Sequence, residues 1–298
     1  MAATTYSDPV RTDLQDALAQ LLDLDGVAPA VEAARESCTA LRWHEGLRRR
    51  VPEAAAEARG RGATASALLE GAEPAGSAGT VGLVRDLVRG AVPWDARDLD
   101  PVWRVLVGVV RATSATEQVG AAQLRSPAQV LASLHAAATG GLLPMEQVGR
   151  PRLAGEGCAE WSELGEPCDV AEAEARLGVV HDLLAAVPVG RLPVLPLAAV
   201  VHAEIMVVRP FVAGNGVVAR AVERAVLRVG GLDPTGVAVP EVGHADRAGT
   251  DYRGALTAYA SGGREGVRLW LLHCADAVRR AAADGVRVAD AVRAGRLA

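Results

Sequence analysis

Leu195 to Val208 is a nearly continuous apolar run, and it leads directly into Arg209-Pro210-Phe211-Val212-Ala213-Gly214-Asn215-Gly216-Val217-Val218-Ala219-Arg220. A buried helix followed by a Gly-Asn-Gly turn demands two core helices joined by a short connection. In such a turn successive backbone N–H groups point into one concavity. At a helix N-terminus that nest favours an anion, through hydrogen bonds and the macrodipole together. A Gly-rich N-cap between two core helices is the alternative use of the same three residues. Phe211, the only phenylalanine in the chain, places an aromatic anchor beside the turn. The longer stretch from Leu192 to Val208 carries Pro193, Pro196, His202 and Glu204, so it reads as a core helix and not as a membrane span.

The rest of the chain must pack around that pair with little aromatic material. Hydrophobic residues make up 50% but aromatics only 3%, so the core is built from Ala, Leu and Val, which favours closely packed helices with small residues at the crossings. Helical spacing supports this: Leu14, Leu18, Leu21 and Leu22 share one face between Asp13 and Leu24. A second helix is expected from Ala30 to Arg50, carrying Trp43. A third follows with Pro52 in its first turn, where the missing N–H costs nothing. Further helices are expected at 80–90, 101–114, 127–138, 169–186, 195–208, 215–230, 246–260 and 264–284, and a short terminal one from Arg287 to Leu297. Residues 72–79 form the best linker. The expected division is a helical arm at 1–72, a main body at 73–285 and a tail helix at 286–298. Residues 142–168 are the exception to helix, because Pro144, Gly149, Pro151, Gly155, Gly157, Gly165 and Pro167 interrupt it and allow a short hairpin. Glu156, Glu160, Glu163 and Glu166 give this segment an acidic cast. Trp161 within it is either a contact residue or folded back on the core.

Charge narrows the function classes. All 31 basic residues are arginine, they are scattered among acids, and the net charge is −5, so no nucleic-acid footprint is expected. Cys38, Cys158, Cys168 and Cys274 lack metal-ligand spacing, although Cys158 and Cys168 bracket a polar loop and can pair under oxidising conditions. No signal-peptide pattern is evident at the N-terminus, so a cytoplasmic protein is the default expectation. His135, His181, His202, His244 and His273 fall singly on expected helices and read as hydrogen-bonded core or surface residues.

The 209–220 segment resembles the signature of the Fic/Doc (Fido) family, His-Pro-Phe-x-Asp/Glu-Gly-Asn-Gly-Arg-x-x-Arg. Six of its specified positions are kept, as Pro210, Phe211, Gly214, Asn215, Gly216 and Arg220. Three depart, with Arg209 for the His, Ala213 for the acid and Val217 for the first Arg. The likeness extends from about residue 60 to 280. His202 stands where a His commonly precedes the signature, Gly149-Arg150-Pro151-Arg152 is similar to the start of the family's flap, and His244 to Tyr259 is similar to its closing helix. Ser66-Ala67-Leu68-Leu69-Glu70-Gly71 fits the family's inhibitory Ser/Thr-x-x-x-Glu-Gly pattern at every specified position. The resemblance implies an all-α Fic-type bundle with a small β-hairpin flap at 149–168 that clamps a target protein by strand addition. It implies AMP transfer from ATP to a target hydroxyl, with Gly214, Asn215, Gly216 and Arg220 holding phosphate. It also implies that Glu70, with Ser66 and Gly71, reaches Arg220 and blocks productive seating of the γ-phosphate. Without that likeness Glu70 would be a solvated residue at a helix end.

The three departures remove chemistry. Arg209 stands at the position of the family's base, and a guanidinium stays protonated at any working pH, so it takes no proton. Loss of a general base alone forfeits about 10²–10⁴ in rate. Ala213 offers no ligand at the Mg²⁺ position, and Val217 neutralises no phosphate charge. Catalysis of phosphoryl-type transfer is almost entirely positioning and electrostatics, so no useful AMP transfer is expected. Two uses remain for Arg209: binding an anion over the nest, or capping a helix end with its stem packed. The expectation is therefore a lapsed Fic scaffold that works by binding or regulation, with ATP its only implied ligand and Mg²⁺ not held. The alternative is a weak or altered nucleotide-dependent transferase using the retained anion hole.

Overall fold

In the computed structural model, which describes residues 9–73, 80–97, 100–190 and 192–296, the chain is a bundle of helices. In chain order they are α1 (Pro9–Leu22), α2 (Val27–Arg42), α3 (Val51–Leu69), α4 (Thr80–Arg89), α5 (Pro101–Ala115) and α6 (Pro127–Thr139). They continue as α7 (Val170–Ala186), α8 (Val194–Val208), α9 (Asn215–Val229), α10 (Pro240–His244), α11 (Thr250–Ala260) and α12 (Gly263–Arg293). No helix among the described residues is long and apolar enough to cross a membrane.

The α8–α9 pair is the centre. α8 is apolar on all sides and has Leu195, Pro196, Ala199, Val201, Ala203, Ile205 and Met206 buried. Pro196 sits in its first turn, where no hydrogen bond is lost. α9 is buried along most of its length although it carries Arg220, Glu223 and Arg224. Such burial is tolerable where the charges are met: Arg220 lies 2.5 Å from Glu70, and Glu223 is met by His202 and His244 at 2.7 and 2.8 Å. Around the pair, α12 packs against α2, α3, α8, α10 and α11, and α7 lies on α8. Trp270 of α12 donates its indole N–H to the carbonyl of Ala199 at 2.7 Å, pinning the two helices. A smaller second core forms between α3, α4, α5 and the ends of α6 and α9, with Trp103, Leu106, Val110, Leu87 and Val217 inside.

Helix–helix contact by small residues is realised most closely at Gly108. A Cβ there would stand 1.9 Å from the carbonyl oxygen of Ala138, so α5 and α6 touch backbone to backbone.

Several boundaries differ from the sequence reading. The helix expected over 30–50 ends at Arg42. There His44 accepts the Gly46 N–H at 3.1 Å to make a 3-10 turn, and Arg49 is left-handed at φ 72°. The helix expected over 246–260 begins only at Thr250, as α11, because left-handed Arg247 and Ala248 make Asp246–Gly249 a separate 3-10 turn; the short α10 lies before it. The separate tail helix expected over 286–298 is instead the last part of the continuous α12, and residues 297 and 298 lie outside the described residues. α1, α2 and part of α3, expected as an arm, contribute Leu18, Val27, Leu41 and Ala54 to the same core as α8, α9 and α12. Most of the expected linker, 74–79, lies outside the described residues. The hairpin expected within 142–168 does not form: this segment is turns and two 3-10 pieces, Met145–Gln147 and Ser162–Leu164. Its side chains are used to hold it inward, as shown below.

Gly108→Ala is expected to force α5 from α6 and cost about 1–3 kcal/mol, lowering Tm by roughly 2–10 °C in scanning calorimetry. Gly60→Ala, in α3 with nothing within 4 Å of an added Cβ, is the control. It is expected to be neutral or stabilising by about 0.5–1 kcal/mol.

Candidate functional site

The site is built where α8 ends and α9 begins. Arg209 leaves α8 in the left-handed conformation, with φ 47°. The turn is then held by one side chain: Asn215 accepts the Phe211 N–H at 3.0 Å through Oδ1 and donates through Nδ2 to the Phe211 carbonyl at 2.9 Å. His135 of α6 stacks on Phe211 with centroids 4.0 Å apart and an interplanar angle of 9°. Its Nδ1 accepts the Gly149 N–H at 2.8 Å, which leaves Nε2 to donate to the carbonyl of Ala213 at 3.0 Å. Burial pushes the His135 imidazole down to about 4, so it is neutral, as this tautomer requires. The Gly-Asn-Gly turn is thus rigid and its amides are aimed.

A carboxylate already sits on them. Glu160 accepts the Gly214 N–H at 2.6 Å through Oε1, and through Oε2 both the Asn215 N–H and its Nδ2, each at 3.1 Å. The nest binds an anion, and the anion belongs to the chain. Burial pushes the Glu160 carboxyl up, and repulsion from Glu70 adds to this, against the pull of the donated hydrogen bonds. One turn further along, Glu70 lies 2.5 Å from the guanidinium of Arg220, whose Nε donates to Ser66 at 2.9 Å. Glu70 approaches α9 so closely that a Cβ at position 216 would meet its Oε1 at 2.3 Å, which explains the second glycine of the turn. Glu70 caps the C-terminus of α3, and Gly71 follows at φ 67°. Two carboxylates from distant parts of the chain therefore crowd the first turns of one helix, where the macrodipole favours them.

The segment that delivers Glu160 is locked down. Arg209 is buried, and its guanidinium donates to the carbonyls of Glu160, Trp161 and Gly165 at 3.1, 3.2 and 2.6 Å. The residue at the position of the family's base neither faces the anion nor caps α8 with its head; it clasps the loop. Arg152 reaches back from the loop to the carbonyl of Arg209 at 2.9 Å. Trp161, left-handed at φ 53°, is folded back on the core and meets Tyr252 edge-on at 5.8 Å. Arg253 of α11 lies 4.3 Å over the Trp161 ring, donates to the Leu69 carbonyl at 3.0 Å and pairs with Glu163. Arg150 and Glu156 make a two-pronged pair at 2.7 and 2.8 Å within the loop itself. The four cysteines are unpaired; Cys158 lies 3.5 Å from Asn215 instead.

Beside the plug a cavity of about 360 Å³ remains, lined by Glu70, Glu160, Trp161, Gly214, Val217 and Arg253. Its volume lies within the range of small-molecule pockets. The donors around it do not fit a metal-bound nucleotide, however. The nest amides and Arg220 are each engaged by a carboxylate, position 213 presents a methyl group, and Val217 is buried in the second core.

Three of the histidines expected singly on their helices, His202, His244 and His273, come together around Glu223. His202 Nδ1 and His244 Nε2 converge on Oε2 of Glu223 at 2.7 and 2.8 Å. His202 Nε2 meets the Tyr252 hydroxyl at 2.8 Å, and His244 Nδ1 meets His273 at 3.0 Å. Burial raises the Glu223 carboxyl, but the two histidines outweigh it and hold the group below the usual carboxylate range. Glu160, Glu223 and Tyr252 are the polar residues that sequence reasoning missed as a group. Of these, Glu160 figures in the sequence reading only as one of four acids in its loop.

No family model matches the sequence, and no curated protein matches it. Solved structures do resemble it. A Fic family protein from Desulfovibrio desulfuricans G20 superposes with a TM-score of 0.64 at 19% identity, covering 87% of this chain and 74% of that one. Fic-1 from C. elegans gives 0.57 at 18% identity, covering 91% and 73%. A Fic domain containing signaling protein from Bacteroides thetaiotaomicron VPI-5482 gives 0.58 at 15% identity, covering 88% and 98%. The chain has the all-α Fic fold.

The neutral His135 carries a pH dependence. Its folded value of about 4 lies below the ordinary 6.5, so the unfolded chain binds the proton first as pH falls. This share of stability is complete above about 6.5, erodes below it and is gone by about 4, a total on the order of 3 kcal/mol. Urea unfolding at a series of pH values is expected to show His135→Gln with a flatter profile than wild type across that window.

Proposed function

We propose that this chain is a Fic-fold protein that binds or regulates a partner and does not transfer AMP, because its own carboxylates stand where a nucleotide's phosphates would. The observation that carries this reading is the Glu160 carboxylate on the amides of Gly214 and Asn215, next to Glu70 on Arg220. Hydrogen bonds to a charged group contribute about 1.5–3 kcal/mol each, and the nest gives Glu160 three. A group tethered by its own chain also competes at an effective concentration of at least millimolar order. Free nucleotide at comparable concentration gains no advantage over it. Glu70 adds the inhibitory contact that the Ser66–Gly71 pattern implies.

The chemistry around the plug agrees. Arg209 is spent on three loop carbonyls and takes no proton, and neither Ala213 nor Val217 replaces what the family pattern places there. The loop at 149–168 serves as the binding face, with Leu153 exposed on it and Met145 exposed just before it. One observation favours the second reading, a weak or altered nucleotide-dependent transferase: the cavity beside Glu160 and Arg253, which would enlarge if the loop swung out.

Titration calorimetry with ATP and Mg²⁺ tests the proposal, alongside incorporation of labelled AMP into the protein or a lysate. Wild type and Glu70→Gly are expected to show no ATP binding. Glu160→Ala/Glu70→Gly is expected to bind ATP weakly, with Kd on the order of millimolar, and without AMP incorporation. Labelled AMP transferred by wild type or by Glu70→Gly would contradict the proposal and favour the second reading.

A further inference from the structure

We propose that His202, Glu223 and His244 form a buried metal site suited to Zn²⁺ that ties α8, α9 and α10 together. This is independent of the reading of the nucleotide site. Each residue comes from a different helix and offers one ligand atom, and the three atoms lie within 4.8 Å of one another. Nδ1 of His202 and Nε2 of His244 point at the same carboxylate oxygen, at 2.7 and 2.8 Å. Zn²⁺ takes such donors at about 2.0–2.2 Å, so neighbouring ligands at right or tetrahedral angles stand roughly 2.9–3.4 Å apart. Each His–Glu223 separation would widen by about 0.1–0.7 Å to admit the ion, and the two imidazole nitrogens, now within 4.8 Å of each other, would settle at that same ligand–ligand spacing around it.

The outer ring nitrogens are already provided for. His202 Nε2 lies 2.8 Å from the Tyr252 hydroxyl, and His244 Nδ1 lies 3.0 Å from Nε2 of His273. With an ion on the inner nitrogen, each imidazole carries its proton on the outer one and donates it to that partner. Such second contacts fix the ring and its tautomer at metal sites. Formal charge is compatible with this. Arg220 pairs with Glu70 and reaches the cluster through the Tyr252 hydroxyl at 3.5 Å, and among the described residues no arginine pairs with Glu223, so a divalent ion would add positive charge directly beside that carboxylate. Two imidazole nitrogens and one carboxylate oxygen are a borderline donor set of the kind zinc accepts. His202 and His244 are fully buried and Glu223 is 1% exposed, so the ion would enter as the chain folds and act as a clamp on three helices.

Tag-free protein is produced in minimal medium supplied with ZnCl₂, with CoCl₂, or with neither, and passed through gel filtration in chelator. Plasma mass spectrometry is expected to find about one zinc or cobalt per chain. The cobalt form is expected to show visible ligand-field absorption of a low-coordinate site. Tm is expected to exceed that of the metal-depleted protein by several degrees. Glu223→Gln and His244→Gln are expected to lose metal by on the order of tenfold or more. His273→Gln, outside the ligand set, is expected to retain it with weaker affinity, and this variant keeps the test decisive if the ligand variants do not fold. Wild-type protein free of zinc and cobalt, with one Tm in all three media, overturns the site and leaves a hydrogen-bonded cluster. Full metal content in folded ligand variants overturns it equally.

Discussion

The contact between the Glu160 carboxylate and the amides that open α9 is the interaction on which the rest of the site depends. A Gly-Asn-Gly turn at a helix N-terminus leaves N–H groups without partners in their own helix, and something anionic or polar has to meet them. Here the loop after α6 supplies it. The consequence runs outward: with Glu160 seated, Trp161 falls on Tyr252, Arg253 covers Trp161, and Glu163 pairs with Arg253. At Trp161 the loop is packed into the protein's interior.

Arg209 shows how a single departure from a catalytic pattern redirects a site. A histidine there would be short and titratable. An arginine is long, permanently charged and rich in donors, so it reaches three carbonyls of a loop whose 3-10 turn gives one of them, that of Trp161, a backbone partner as well. Leaving the Glu160 and Gly165 carbonyls buried without the guanidinium would cost about 1–3 kcal/mol each. Arg209 therefore holds the plug in place. Glu70 and Arg220 make a second, separate closure. A buried pair of this kind is weak evidence for stability, but removing one member strands a charge at a cost of about 3–5 kcal/mol.

Much of the fold was legible in the sequence because it is local. The apolar run before residue 209, the helical spacing of leucines and the Gly-Asn-Gly turn led to α8, α9 and most other helices within a few residues. The pairing of Glu70 with Arg220 followed from two motifs with a known relation. The tail, expected as a separate helix, runs on from residue 284 within α12. Gly285 lets α12 pass close to Leu41, whose Cδ2 would stand 2.6 Å from a Cβ there. Glu160 was visible only as one of four acids in a loop, since nothing local distinguishes the one that reaches residues 214 and 215. The His202–Glu223–His244 cluster was hidden for the same reason: its members are apart in sequence and meet only through the packing of α8, α9 and α10. What tertiary packing assembles, spacing does not announce.

A crystal structure of the wild-type protein grown with saturating ATP and Mg²⁺ tests the central claim most directly. The account predicts electron density for the Glu160 carboxylate on the amides of Gly214 and Asn215, Arg209 on the loop carbonyls, and no phosphate in the nest. A nucleotide phosphate bound to those amides, with Glu160 displaced, would contradict it.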